Sequence, residues 1–79
     1  MATREPAAQR DDWTRAIEGI EYPIGLFGLR RAIMDRGGLD HEVLDIVNRL
    51  PEESDFESED QLLAAVRAAY AADGLTSPI

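Results

Sequence analysis

Cysteine and lysine are both absent from this chain of 79 residues, and histidine occurs once. Without cysteine, the chain has neither disulfides nor the usual cysteine-rich structural zinc site. A chain of this length forms one domain and buries only about 60% of the surface that it exposes when unfolded. We therefore expect a thin core, whose stability depends on packing alone, on a partner or on self-association.

Long apolar runs are missing as well. No stretch approaches the roughly 18 residues that a membrane-spanning helix needs. Residues 1–9 contain no hydrophobic signal core. The absence of cysteine fits a reducing compartment. We therefore expect a cytoplasmic protein with no membrane partner.

The charge is unevenly distributed along the chain. The formal net charge is −8. Residues 1–38 contain six arginines and six acidic residues, whereas residues 39–79 contain two arginines and ten acidic residues. Because nucleic acid is polyanionic, the second half repels it, and direct nucleic-acid binding is unlikely.

Helical spacing predicts a mainly α fold, a compact bundle of about four short helices. We expect a mobile leader over residues 1–10, one helical domain over residues 11–73 and a frayed tail over residues 74–79. Asp11 or Asp12 caps the first helix. The second helix spans residues 26–36 and ends at two consecutive glycines, Gly37 and Gly38.

Local signals also bound the last two helices. Asp40 caps the third helix, which ends before Pro51. Ser58 caps the fourth helix, with the Gln61 side chain reaching back to the Ser58 amide. Between them, Phe56 is expected to enter the core from a short extended piece. That piece pairs with residues 22–24 in a minimal two-stranded β-ribbon.

Several motifs resemble a family of small bacterial proteins, domain of unknown function 2795. They are residues 17–23 (IEGIEYP), residues 42–44 (EVL), the Leu-Pro at 50–51, residues 56–58 (FES) and Val66. The resemblance covers roughly residues 14 to 67. It implies a fold and a bacterial origin, but no activity, because the shared motifs are structural.

One departure from that family falls at the start of the second helix. Where the family has a small residue followed by Ser or Thr and polar residues, this chain has Ile-Gly-Leu-Phe-Gly at residues 24–28. On a helical wheel, Phe27 and Met34 lie about 100° from the apolar stripe that contains Leu29. Either both stripes are buried, one against each neighbouring helix, or the second stripe is exposed to a partner.

The second helix is therefore our candidate partner-binding element. Aromatic, Met and Arg side chains are enriched in protein interfaces. We expect a non-enzymatic interaction or regulatory module that binds another protein. The residues assigned to this contact are Phe27, Arg30, Arg31 and Met34, with Trp13 as an outlying candidate.

Two alternatives remain open. The loop that follows the third helix is rich in carboxylates, which are spaced like phosphates and predict an acidic inhibitor that mimics nucleic acid. The second and third helices also resemble a helix-turn-helix, which predicts a small DNA-binding regulator that uses the second helix, although the third helix has the wrong net charge for DNA. The acidic residues of the loop are Glu52, Glu53, Asp55, Glu57, Glu59 and Asp60.

No catalytic constellation is recognisable. His41 has no Ser or Cys partner placed for a triad, and Asp40, His41 and Glu42 point in different directions on a helix. We expect no enzyme activity, no cofactor and no metal site. The alanines of the fourth helix, Ala64, Ala68, Ala71 and Ala72, form a smooth face that is compatible with a homodimer.

Overall fold

The computed structural model describes residues 5–79, which form four helices and a two-stranded antiparallel sheet. The predicted mainly α fold with a minimal ribbon is confirmed. The elements in chain order are α1 (Arg10–Ile17), β1 (Ile24–Gly25), α2 (Leu26–Arg36), α3 (His41–Asn48), β2 (Asp55–Phe56) and α4 (Glu59–Ala72).

The predicted cap of α1, Asp11 or Asp12, is wrong by two or three residues. The N-cap residue is Gln9, and Asp12 is the third residue of the helix. The Gln9 backbone amide donates to Asp12 Oδ2 at 2.9 Å, and Arg15 forms an ion pair with the same carboxylate. This amide hydrogen bond, helped by Arg15, lowers the pKa of Asp12. The carboxylate of Asp12, in the first turn, thus accepts a hydrogen bond from the backbone of the N-cap residue.

The segment between α2 and α3 matches its local signals. Helix α2 ends at Arg36, and Gly37 and Gly38 both have positive φ angles. Asp40 caps α3, because its Oδ1 accepts from the Glu42 amide at 2.9 Å. These glycines and this cap set the direction in which α3 packs back against α2.

The ribbon joins the two halves of the chain. Ile24 pairs with Phe56 and Gly25 with Asp55 in antiparallel register, and the Leu26 amide donates to the Ser54 carbonyl at 3.1 Å. The Phe56 side chain is buried, as predicted. The ribbon therefore holds the start of α2 against the loop that precedes α4.

A single apolar core lies between the four helices. Its largest fully buried side chains are Trp13 and Tyr70, whose rings meet edge to face with centroids 6.0 Å apart. Each helix contributes an apolar stripe to this core. The remaining buried members are Ala8, Ala16, Ile17, Leu26, Leu29, Ile33, Val43, Ile46, Val47, Leu50, Phe56, Leu62 and Val66.

Residues 5–10 of the predicted leader contact α3 in the structure, whereas residues 1–4 lie outside the described part. The amides of Ala7 and Ala8 donate to the two carboxylate oxygens of Glu42, at 3.1 and 2.9 Å. Ala8 is fully buried. Burial and hydrogen bonding of the backbone therefore tie this segment to α3.

Residues 74–79, predicted as a frayed tail, contact α4 in the structure. The Leu75 amide donates to the Tyr70 carbonyl at 3.0 Å, and Arg67 Nε donates to the Ile79 carbonyl at 3.2 Å. Leu75 and Ile79 pack against the core as partly buried side chains. Since apolar burial stabilises the folded segment, the tail returns along α4 instead of leaving it.

Candidate protein-binding surface

Helix α2 has one buried face and one exposed face. Leu26, Leu29 and Ile33 are buried in the core. Phe27 and Met34 are 76% and 66% exposed, and they are the large hydrophobic side chains exposed within residues 5–79. They are seven positions apart in the sequence, so they lie within about 20° of each other around the helix. The structure thus exposes the second apolar stripe.

Two arginines lie between these apolar side chains. Arg30 is half-buried and Arg31 is exposed. Arg30 Nε is shielded from solvent and has no hydrogen-bond partner within the described chain. The ion pairs of residues 5–79 involve Arg15 and Arg49 and leave Arg30 and Arg31 unpaired. Arg31 and the exposed part of Arg30 are therefore available to a ligand.

Together these residues line a shallow depression of about 280 Å³. We call it the α2 surface and define it as Phe27, Arg30, Arg31, Met34 and Asp35. Sequence reasoning missed Asp35, although its i+4 spacing from Arg31 places it on the same side of the helix. The depression is rimmed by charge and lined by an aromatic ring and a thioether, which suits a small apolar side chain of a partner.

Trp13 does not belong to this surface. Its side chain is 1% exposed, and its Nε1 donates to the Tyr70 hydroxyl at 2.8 Å. The prediction of Trp13 as an outlying contact residue is therefore corrected. The helical spacing from Trp13 to Ala16 and Ile17 was the signal for burial, since all three residues lie on one side of α1.

The Tyr70 hydroxyl connects that tryptophan to Glu42, which sequence reasoning named only within the family resemblance and a rejected metal site. The hydroxyl donates to Glu42 Oε2 at 3.0 Å, the oxygen that also accepts from the Ala8 amide. Burial raises the pKa of Tyr70 above its usual range, and nearby Glu42 raises it further. The hydroxyl therefore remains protonated and continues to donate. No local pattern marks Glu42, because its partners lie 28 to 35 residues away.

The acidic loop lies beside the first turn of α2. Its six carboxylate side chains are all exposed, with Glu59 and Asp60 in the first turn of α4, and none forms an ion pair within residues 5–79. Asp55 Oδ1 is 3.2 Å from the position that a Cβ atom on Gly25 would take, next to the N-terminus of α2. Negative charge at this end of a helix is favourable. The loop is thus an exposed carboxylate array held in place by Phe56.

The exposed side of α3 offers little to DNA. Its cation, Arg49, is paired with Asp73 on the segment after α4, with Nη1 and Oδ1 3.1 Å apart. His41 and Asp45 are exposed on the same helix. This arrangement leaves carboxylates unneutralised where a recognition helix needs positive charge.

A second hollow, of about 420 Å³, lies between α1 and α4. Trp13, Ile17 and Leu63 contribute its apolar lining, and Ile79 of the tail is one of its walls. The Thr14 hydroxyl in this hollow donates to the Arg10 carbonyl, so it is engaged in α1. No group of three or more His, Cys, Asp or Glu residues in the described chain is placed to hold a metal ion.

Residues 5–79 include no helix with the length and apolar character needed to cross a membrane. Comparisons with family models, with curated proteins and with solved structures give no match to this chain. The resemblance to domain of unknown function 2795 therefore stays a prediction.

Proposed function

We propose that this protein is a non-enzymatic interaction or regulatory module that binds another protein through the α2 surface. The observation that carries the proposal is the exposure of Phe27 and Met34, seven residues apart on a helix whose other face is core. Covering two large apolar side chains that are exposed to water lowers the free energy of the complex. Aromatic, Met and Arg side chains are the types enriched at such contacts.

The way in which α2 is held supports the same proposal. The ribbon and the Ser54 carbonyl fix its first residues, and Leu29 and Ile33 anchor its inner face in the core. A surface on a rigid helix loses little conformational entropy on binding. A bacterial origin, implied by the family resemblance, and a cytoplasmic location, which the absence of cysteine fits, belong to the proposal.

Capture from a lysate of the host bacterium tests the proposal, with Phe27→Asp as the test variant and Asn48→Asp as its matched control. Asn48 is exposed on α3, so both variants gain one negative charge on an exposed helix position. We expect the wild type and Asn48→Asp to retain the same protein and Phe27→Asp to lose it. Equal retention by all three chains contradicts binding through the α2 surface.

The acidic loop supports a second candidate function, an inhibitor that mimics nucleic acid. Its six exposed carboxylates have a fixed backbone, because Phe56 is buried and the Ser54 amide donates to the Pro51 carbonyl at 3.0 Å. Duplex DNA in the wash separates the two functions. Displacement by DNA, together with loss of retention in Glu52→Gln/Glu53→Gln, favours the mimic. Retention that is insensitive to DNA favours the α2 surface.

A further inference from the structure

The spacing of the two apolar anchors on α2 restricts the shape of the partner. Phe27 and Met34 are about 10 Å apart along the helix axis, at a rise of about 1.5 Å per residue. In an extended peptide, side chains on one face are about 7 or 13 Å apart. A helix repeats its face after seven residues, at about 10 Å. A partner helix therefore matches both anchors, whereas an extended peptide does not.

The charge between the anchors restricts the chemistry of that helix. Arg30 Nε is shielded and has no hydrogen-bond partner in the described chain, and Arg31 forms no ion pair there. Carboxylates satisfy guanidinium groups with charge-assisted hydrogen bonds. At physiological salt the screening length is about 8 Å, shorter than the molecular dimensions of 36 × 26 × 18 Å. The local charge of the α2 surface, two arginines against Asp35, is positive, and this local charge, not the net charge of the molecule, decides what binds here.

A second copy of the chain fits this surface poorly. An antiparallel pairing that places Phe27 of one copy on Met34 of the other also places Arg30 opposite the second copy's Arg31. Four guanidinium groups then meet at the two-fold axis of an isologous contact, which is destabilising. The acidic loop lies beside the first turn of α2 and not among these arginines, so it does not neutralise them.

We propose that the α2 surface binds an acidic amphipathic helix of another protein, with apolar residues seven positions apart and Asp or Glu at the two positions midway between them. The apolar residues contact Phe27 and Met34, and the carboxylates pair with Arg30 and Arg31. This inference rests on the proposed function and specifies the partner of the same surface.

Three helix-stapled peptides test this proposal with the full chain. The first has Leu at positions i and i+7 and Glu at positions i+3 and i+4. The second has Gln in place of both Glu residues, and the third has Ala in place of both Leu residues. Affinity is measured by fluorescence anisotropy, and the contact is located by amide chemical-shift changes.

We expect the acidic peptide to bind with shift changes along α2, and the Gln peptide to bind about fivefold more weakly, as two partly exposed ion pairs predict. In an Arg30→Gln/Arg31→Gln variant, the two peptides should bind equally. Equal binding of both peptides to the wild type overturns the acidic partner. Absence of binding by all three peptides also overturns it, as does binding that maps away from α2.

The capture experiment separates this inference from the proposed function. If Phe27→Asp no longer retains the native partner but the Glu and Gln peptides bind the wild type equally well, the proposed function stands and the acidic partner helix is wrong. If Phe27→Asp retains the native protein, the proposed function itself fails. The remaining possible occupant of the α2 surface is a second copy of the chain, and sedimentation of the wild type alone tests for it. A dimer that Phe27→Asp dissociates overturns the choice of another protein.

Discussion

At the scale of single residues, Phe27 and Phe56 form a natural comparison, because one ring is exposed and the other is in the core. Phe27 is 76% exposed and Phe56 is 4% exposed. The same side chain thus has two different roles in one small domain. The exposed ring is available for binding at little cost in stability, and the buried ring holds the ribbon to the core.

We predict that Phe27→Ala changes the free energy of unfolding by less than about 0.5 kcal/mol, as surface substitutions do. Phe56→Ala should cost about 3–5 kcal/mol, because it leaves a cavity. Urea denaturation monitored by circular dichroism measures both values, and Phe56→Leu serves as the milder core variant if Phe56→Ala does not fold. A loss of several kcal/mol in Phe27→Ala contradicts its placement on the surface.

Two tyrosines allow a similar comparison of buried hydroxyl groups. The Tyr70 hydroxyl accepts from Trp13 and donates to Glu42, whereas the Tyr22 hydroxyl is buried without a hydrogen-bond partner in the described chain. A buried donor that loses its acceptor bears the cost of desolvation. A buried hydroxyl without a partner already bears it in the native protein.

We predict that Tyr70→Phe lowers the free energy of unfolding by about 1–3 kcal/mol, because Trp13 Nε1 is then buried without an acceptor. Tyr22→Phe should be neutral or slightly stabilising, since it removes an unsatisfied group. Urea denaturation followed by Trp13 fluorescence compares the two variants. Equal effects of both substitutions rule out a stabilising role for the Tyr70 network.

At the scale of elements, α2 begins at a long-range hydrogen bond and ends at a local signal. Its first amide is bonded across to Ser54, and its last residue is followed by Gly37, with φ 65° and ψ 169°. That combination of angles is essentially open only to glycine. The end of α2 was therefore predictable from a pair of glycines, whereas its exposed side was not.

Gly37→Ala should lower the free energy of unfolding by about 1–3 kcal/mol, the cost of forcing a side chain into this backbone region. Within the described chain, nothing lies within 4 Å of the Cβ atom that would be added, so the cost belongs to the backbone and not to a clash. Asp35→Ala, two residues earlier and exposed, is the control and should be nearly neutral. Thermal and urea denaturation measure both variants. Similar stabilities for the two variants contradict the backbone assignment.

At the scale of the whole molecule, charge opposes compactness. A net charge of −8 on 79 residues creates self-repulsion, and the whole of this net charge lies in residues 39–79. The two ion pairs within residues 5–79 neutralise only a small part of this charge. Counterions screen repulsion of this kind.

We predict that the melting temperature rises as sodium chloride is increased from low to moderate concentration, because screening relieves this repulsion. Differential scanning calorimetry at constant pH measures the effect. Phe27→Ala, which has the same charge, should show the same salt dependence as the wild type. A melting temperature that stays flat or falls over this range contradicts the prediction.

The sequence by itself determined the features that depend on neighbours along the chain. The glycines after α2, the cap on Asp40 and the capping Ser58 need only a few adjacent residues, so these positions were correctly predicted. For Gln61 the prediction missed by one residue, because its side chain accepts from the Glu57 amide and not from that of Ser58. Small shifts of this kind arise where two adjacent amides are both within reach.

Only the tertiary structure decided which apolar side chains of α2 face the core and how residues 5–10 and 74–79 pack. A helical wheel identified two apolar stripes on α2. Whether one or both stripes are buried depends on how α1 and α3 pack against α2. Glu42 holds Ala7 and Ala8 over 34 to 35 residues, and Tyr70 reaches it over 28. Contacts between residues so far apart in sequence leave no local pattern, and therefore the exposure of Phe27 emerged only from the folded chain.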